Sequence, residues 1–463
     1  MKHSPRELLL SRWEPFLVSL LATGFIAGLA WMETRLGTIP GTLKPDLFSD
    51  LFPKEKPAAK PLPVLIDSVE LAAKLDSAKV VGERVQQALA DTVGIIPIEA
   101  PEKLSRTFQR LRNGKSVRIA WFGDSFIEGD ILVQDVREVL QKIFGGRGVG
   151  FLPAMSTTAQ FRQSVHHTFS KDWEETSIMS RKASRFPLGI TGHVSFPAIV
   201  EDSSEASWVE LVGSSRSGSQ SFDKVRILYG ETVDSSGKLR CETNVGSFQK
   251  SIVPGFGLRS AIFATKGAHR VLVSFQSKDT LPIHGISLEG DSGGVLVDNF
   301  SFRGNSGTGL LKIPVSSLRE TDRLLDGYQL VVLEYGTNVT DATMAGFVWY
   351  TKKMEEVIDH LRQAFPQADF LLIGVGDRGQ RGEGGIVSNP AVAKVVEAQR
   401  QAARNTGSAF WDLRQAMGGE NSMGAWVDAG LASSDFTHIS PGGGRRLGKA
   451  FSKAFLKAWE SSK

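Results

Sequence analysis

Residues 116–146 read SVRIAWFGDSFIEGDILVQDVREVLQKIFGG, and the fold class turns on how they are parsed. The run 116–121 is short, apolar and free of Gly and Pro, the pattern of a strand buried on both faces. It ends in Phe122, Gly123, Asp124 and Ser125. Ile131, Val133, Val136, Val139, Leu140 and Ile143 then recur at helical spacing, and Gly145-Gly146 supplies a glycine stop. A strand, a tight glycine-containing turn and a helix, with a serine at the turn, is how an open α/β sheet presents a nucleophile at the carboxyl ends of its strands.

The same texture extends outward. A helix is expected over 102–111, strands over 328–334 (YQLVVLE), 369–375 (DFLLIGV) and 408–412 (SAFWD), and helices over 344–363, 391–406 and 440–459. Alternating strands and helices imply a parallel sheet. From about 160 to 302 the pattern changes to short alternating runs, among them SWVELVG, FDKVRILYG, HRVLVSF and GVLVDNFSF, separated by Gly, Ser, Asp and Lys clusters. That region is read as an all-β, jelly-roll-like sandwich inserted into one α/β domain, since neither flanking half covers both faces of a sheet alone. The expected division is 1–34 signal-anchor or signal peptide, 35–98 Pro-rich linker and stalk helix, 99–159 first part of the α/β domain, 160–302 insert, and 303–463 second part.

Residues 16–32 (FLVSLLATGFIAGLAWM) are uncharged and apolar over about 17 positions, near the lower limit for a membrane-spanning helix. Lys2, Arg6 and Arg12 precede them, as in a signal-anchor, while Gly28 and Ala30 also fit a cleavable signal peptide. Either reading exports the rest, so the expected address is periplasmic, tethered to the inner membrane by 16–32, or soluble if cleaved. The tract PKEKPAAKPLP is an extended spacer. With 54 Lys and Arg against 50 Asp and Glu in 463 residues, and no long basic block, nucleic-acid binding has no compositional support. The single cysteine, Cys241, excludes an intrachain disulfide and a multi-cysteine metal site, and reads as a small buried side chain.

Three separated pieces carry chemistry: Gly123-Asp124-Ser125, Gly336-Thr337-Asn338 and Asp435-Phe436-Thr437-His438. A serine hydroxyl is too weakly acidic to attack an ester unaided, so it needs a base, and that base an orienting carboxylate. His438 and Asp435 supply both, with Ser440-Pro441 starting a helix immediately after. Developing charge on a carbonyl oxygen calls for fixed donors, which the Ser125 N–H, a glycine N–H and the Asn338 amide provide. A second Gly-Asp-Ser, at 290–292, lies in a turn of the β region with no helix after it, and shows that the triplet alone means little.

In these blocks and their order the chain resembles the GDSL/SGNH hydrolases over 116–150 and 300–460. The resemblance implies a flavodoxin-like three-layer α/β/α domain, Ser125, His438 and Asp435 as the triad, and an oxyanion hole of Ser125, Gly304 and Asn338, with Gly307 behind Gly304. Val339 stands where many members carry an acidic residue. The segment after Ser125, together with a β module before Gly336, resembles the peptidoglycan O-acetylesterases of Gram-negative bacteria. That likeness implies removal of O-acetyl groups from a cell-wall or exported glycan, with no metal or organic cofactor.

Other residues invite roles. His166 and His167 are neighbours on an extended chain, so they face opposite ways and make no metal site. Trp173 and Trp208 are candidate sugar-stacking platforms, and Asp377 and Arg378, following a strand, are candidate pocket residues. Two other functions stay open at this point: a polysaccharide O-acetyltransferase using the same triad, and a non-catalytic, membrane-tethered glycan-binding protein.

Overall fold

The structure, a computed structural model, describes residues 95–181, 185–340 and 346–462. The apolar stretch 16–32 and nearly all of the linker and stalk expected over 35–98 lie outside the described residues, and among those described no helix is long and apolar enough to cross a membrane.

Strand β1 (Val117–Gly123) lies between β2 (Val295–Ser301) and β3 (Leu330–Glu334), followed by β4 (Asp369–Ile373) and β5 (Ala409–Trp411). All pairings are parallel, in the order β2-β1-β3-β4-β5. Every residue of β1, β3 and β4 is buried, which is why their sequences are mainly apolar rather than alternating, Arg118, Glu334 and Asp369 excepted. The two-residue period still decides which core each side chain enters. Ile119, Trp121, Leu330 and Val332 join one core, packed by α1 (Ser105–Arg112), α2 (Val133–Phe144), α6 (Leu413–Met417), α7 (Ser422–Asp428) and α8 (Pro441–Ser461). Ala120, Phe122, Val331 and Leu333 join the other, with α3 (Val315–Leu324), α4 (Val348–Ala364) and α5 (Ala391–Thr406). The result is three layers with the strand order of flavodoxin-like sheets, whose switch point falls between β1 and β3.

Between α2 and β2 the chain forms two antiparallel sheets. One contains 165–169, 207–213, 270–276, 238–243 and 246–251, and the other 259–268, 222–229, 283–289, 193–196 and 174–177. A single core, including Val209, Leu239, Val271, Val225, Ile227 and Ile286, fills the space between them. The structure moves both boundaries expected for this insert. Val295–Ser301 belongs to the parallel sheet as β2, in register with β1 from Val117↔Val295 to Gly123↔Ser301. A short alternating run carries no mark of which sheet it will join; its long-range partner decides. Conversely Gly150–Leu152, expected in the α/β domain, pairs with Ile286–Leu288 of the insert.

A buried ionic network joins the two units. Arg118 of β1 donates from Nε to Asp298 Oδ2 of β2 at 2.7 Å, and from Nη1 and Nη2 to Glu289 Oε1 at 3.0 Å and Ser287 Oγ at 2.8 Å, both in the insert. Arg226 of the insert donates to Glu289 Oε1 at 3.2 Å and to Asp326 Oδ2 at 2.6 Å. Burial would raise the Glu289 carboxyl, but the two guanidinium charges prevail and hold it at about 2. Removing one partner from such a network strands the opposite charges in a dry interior. Arg118→Met is therefore expected to cost about 3–5 kcal/mol in denaturant unfolding; a loss below about 1 kcal/mol would show the network to be dispensable.

Candidate active site

The switch point between β1 and β3 carries the three motifs. Gly123 ends β1 where a Cβ would stand 2.6 Å from Ile127 Cδ1 and 2.9 Å from the Glu334 carbonyl oxygen, so only glycine lets the chain turn there. Asp124 caps the following turn, its Oδ1 accepting from Phe126 N–H at 2.9 Å. Ser125 thus emerges at the carboxyl end of β1.

His438 arrives from the far end of the chain. Its loop is tied by Ser433 N–H donating to the His438 carbonyl at 2.8 Å, and α8 begins one turn on, with Ser440 at the N-cap and Pro441 at the first helical position. Glycines in PGGGRRLG set the approach: a Cβ on Gly444 would lie 2.5 Å from Ile131 Cγ2, and one on Gly448 2.9 Å from the Leu132 carbonyl oxygen. This glycine run lets α8 press against the segment leaving Ser125.

The three side chains meet. Ser125 Oγ is 2.8 Å from His438 Nε2, and His438 Nδ1 is 2.7 Å from Asp435 Oδ2. Asp435 Oδ1 also accepts from the backbone N–H of Thr437 at 2.9 Å and of His438 at 3.0 Å. Partial burial would raise the Asp435 carboxyl, but these hydrogen bonds outweigh it and hold it below the usual range. An ionised Asp435 places the imidazole proton on Nδ1 and leaves Nε2 as acceptor for the Ser125 hydroxyl. Between them Phe436 sits at φ 54°, a left-handed conformation that costs a non-glycine residue energy and closes the Asp-to-His turn.

Asn338 follows β3 in a short turn, after Gly336 at φ 124°, where a Cβ would fall 2.7 Å from Val375 Cβ. Its Nδ2 donates to Asp124 Oδ2 at 3.2 Å and to the Asn305 carbonyl at 3.0 Å. Gly304 is exposed, at φ 74°, and directly precedes Asn305, whereas the Gly307 N–H is already given to Asn305 Oδ1 at 3.0 Å. Ser125, Asn338, Arg378, Asn389, Asp435, His438 and three threonines line a cavity of about 590 Å³, within the range of small-molecule sites.

Other candidate residues lie elsewhere. Trp173 is buried against Phe275 and donates to the Trp208 carbonyl, so it is core rather than platform. Trp208 is half-buried on its strand and outside the cavity lining. Asp377 is buried, accepting from Ser388 Oγ and the Met423 N–H, and so clamps the neighbouring loop instead of facing the cavity. The packing of Trp173 against Phe275 and the buried clamp at Asp377 are tertiary facts that local sequence does not carry. Arg378 does line the cavity. Ser292 is exposed on a bend, His167 is buried and pushed down to about 4 by desolvation, and Cys241 is a buried thiol pushed up to about 12. Among the described residues no cluster of His, Cys, Asp and Glu is fit to hold a metal.

Beneath the nucleophile lies a pair that sequence reading missed. Asp124 and Glu334 are both fully buried, and neither Glu334 oxygen has a hydrogen-bond partner among the described residues. Burial first, and the Asp124 charge second, hold the Glu334 carboxyl protonated well above the usual range; burial likewise raises Asp124. The available signal was an acid closing an otherwise apolar strand, LVVLE; its pairing with Gly123, which sets it beside Asp124, is tertiary.

The fold resembles that of a solved carbohydrate-ester hydrolase. A solved structure of a peptidoglycan O-acetylesterase superposes with a TM-score of 0.63 at 22% identity, covering 78% of this chain and 96% of that one. A lipase/acylhydrolase from Enterococcus faecalis (19% identity, 35% of this chain and 75% of that one, TM-score 0.26) and the acetyl xylan esterase AlAXEase (17% identity, 35% and 81%, TM-score 0.27) overlap far more loosely. At 22% identity the first likeness is one of fold. No family model matches the chain, and no curated protein does.

Glu334 gives a pH signature. Its native proton is lost in the unfolded chain above the ordinary glutamate range, so the stability it supports is full at low pH and declines as pH rises, by about 1.4 kcal/mol per pH unit until its native carboxyl ionises. Glu334→Gln keeps the neutral shape without the titration. Its melting temperature should match the parent near pH 4 and exceed it progressively toward pH 8; a pH-independent difference would contradict the assignment.

Proposed function

We propose that the protein is a serine esterase that removes O-acetyl groups from a cell-wall or exported polysaccharide through an acyl-enzyme. The observation that supports it is the unbroken chain Ser125 Oγ, His438, Asp435 opening into a polar cavity with Asn338 on its wall. The peptidoglycan O-acetylesterase of similar fold supports the choice of ester. As the Ser125 oxygen bonds to the acetyl carbon, its proton passes to His438 Nε2, and Asp435 stabilises the imidazolium. The carbonyl oxygen, now anionic, draws on the Ser125 N–H, the Gly304 N–H and Asn338, whose Nδ2 shares or releases its bond to Asn305. Collapse breaks the acetyl–sugar C–O bond, and the departing sugar oxygen takes the proton from Nε2. Water then repeats the sequence on acetyl-Ser125, giving acetate and the free serine. In this reading the enzyme works outside the cytoplasm, tethered or released according to the fate of residues 16–32.

Ser125→Ala should lower release of acetate from a chromogenic acetyl ester by at least about 10³-fold with an unchanged melting temperature. Asp435→Asn should lower kcat by about 10²–10⁴-fold with little change in KM, because it spoils the tautomer rather than the binding surface. Retained activity in Ser125→Ala would overturn the mechanism. Mass spectrometry of acetylated cell-wall fragments and exopolysaccharide, incubated with the protein lacking the residues before Pro63, reads the acceptor. Free acetate fits the esterase, whereas acetyl groups appearing on new sugars would make it a transferase.

A further inference from the structure

We infer that Arg378 reads a carboxylate on the saccharide that carries the ester, so that the preferred substrate is an acidic acetylated glycan; this rests on the esterase reading. Arg378 follows β4, half-buried, on the wall of the cavity that contains Ser125 and His438. Neutral groups hold it: Nη1 donates to Thr340 Oγ1 at 2.7 Å and to the Thr337 carbonyl at 3.4 Å, and its own carbonyl accepts from Asn389 N–H at 2.7 Å. Among the described residues no carboxylate comes within ion-pair distance of it. Other arginines withdrawn from solvent in this chain are treated differently. Arg118 and Arg226 share Glu289, Arg137 and Arg162 face Asp130, and Arg414 faces Asp377. The sequence neighbour Asp377 is turned away into its own cluster, and Asp435, the acid of the cavity lining, is committed to His438.

Among the described residues Arg378 thus presents to the cavity a positive charge with no carboxylate partner, anchored through Nη1 on Thr340 and Thr337. A guanidinium edge of this kind fits a carboxylate through two parallel N–H···O bonds. An acetyl ester is neutral and gives such a charge nothing to pair with before reaction. The charge thus addresses another part of the substrate. A carboxylate reaches a saccharide either as a lactyl ether, as in muramic acid, or as a uronic acid, and both offer the same chemistry to Arg378.

Two matched pairs of esters test this: 6-O-acetyl-N-acetylmuramic acid against 6-O-acetyl-N-acetylglucosamine, and 2-O-acetylated 4-nitrophenyl β-glucuronide against the corresponding glucoside. The parent enzyme should favour the acidic member of at least one pair by about tenfold or more in kcat/KM, expressed in KM and weakened by salt. The pair that responds identifies the source of the carboxylate. Arg378→Met should reduce the preference, read as the ratio of kcat/KM for the two members of a pair, to less than about twofold, and Arg378→Lys should retain part of it. No charge preference in either pair, or an equal loss on acidic and neutral esters in Arg378→Met, would overturn the inference while leaving the esterase intact. If no ester is hydrolysed, calorimetry with the Ser125→Ala protein and the same four saccharides separates the two ideas. Tighter, Arg378-dependent binding of an acidic member would uphold Arg378 and discard the esterase; equal binding would discard both.

Discussion

Asp130 is a carboxylate with no exposed surface, and the position of the nucleophile depends on how it is satisfied. Arg137 of α2 grips it with two contacts of 2.6 and 3.0 Å, Arg162 stands at 3.4 Å, Ser164 Oγ donates to it at 2.5 Å, and Asn299 of β2 donates at 3.2 Å. Burial alone would raise this carboxyl, but the two guanidiniums prevail and hold it at about 2, ionised at any physiological pH. Arg137 and Asn299 come from the α/β domain, and Arg162 and Ser164 from the stretch that enters the insert. Asn299 also donates to the Ile127 carbonyl at 3.0 Å, inside the turn that begins at Ser125. One anion therefore sets the nucleophile turn, the following helix, the neighbouring strand and the start of the β module in a single arrangement. The backbone pays for that geometry with positive φ at Gly129, Asp130 and Leu132.

With the serine fixed from one side, its partner His438 has to be delivered from the other end of the chain, 313 positions away. A long helix does this because its first turns lack side chains where they cross the segment after Ser125. The close approach at Gly444 and Gly448 turns the packing of α8 into a constraint on the loop that precedes it. Asp435 and His438 are three residues apart and share one turn, so orienting the loop orients both. The dyad is local and the triad is tertiary.

That distinction marks what the sequence could disclose. Ser125, Asn338, Asp435 and His438 were legible because each sits at a strand end or helix start whose signals are local: an apolar run, a glycine turn, a Ser-Pro N-cap. The parallel sheet was legible from strand and helix alternation, although membership of β2 was not, since its alternating texture matches the insert and only pairing with β1 separates them. The last helix was legible from its Ser-Pro start, but the role of its glycines as a packing surface needs the partner segment after Ser125. Asp377 and Arg378 are adjacent and equally polar, yet one is a buried clamp and the other a cavity wall. Nothing local distinguishes them, because the difference lies in where Ser388, Met423 and Thr340 are brought by the fold.

Where the structure departs from ordinary packing rules is itself informative. Over most of β1 and β3 the side chains are apolar and enter one of two cores, but at the carboxyl ends the pattern breaks into Asp124, Glu334, Tyr335 and Thr337. The Glu334 oxygens and the Tyr335 hydroxyl are buried without a hydrogen-bond partner among the described residues. Desolvated polar groups of this kind destabilise a fold, and an apolar strand end would serve stability better. Their concentration directly behind Ser125 and Asn338 points to a requirement of the site rather than of the sheet. A floor of carboxyl groups in a low-dielectric setting makes the field at Asn338 and the serine turn depend on a few protons held by the protein. The two continuous cores on either face give the domain stability enough to carry that defect at the edge where Ser125, Asn338 and His438 meet.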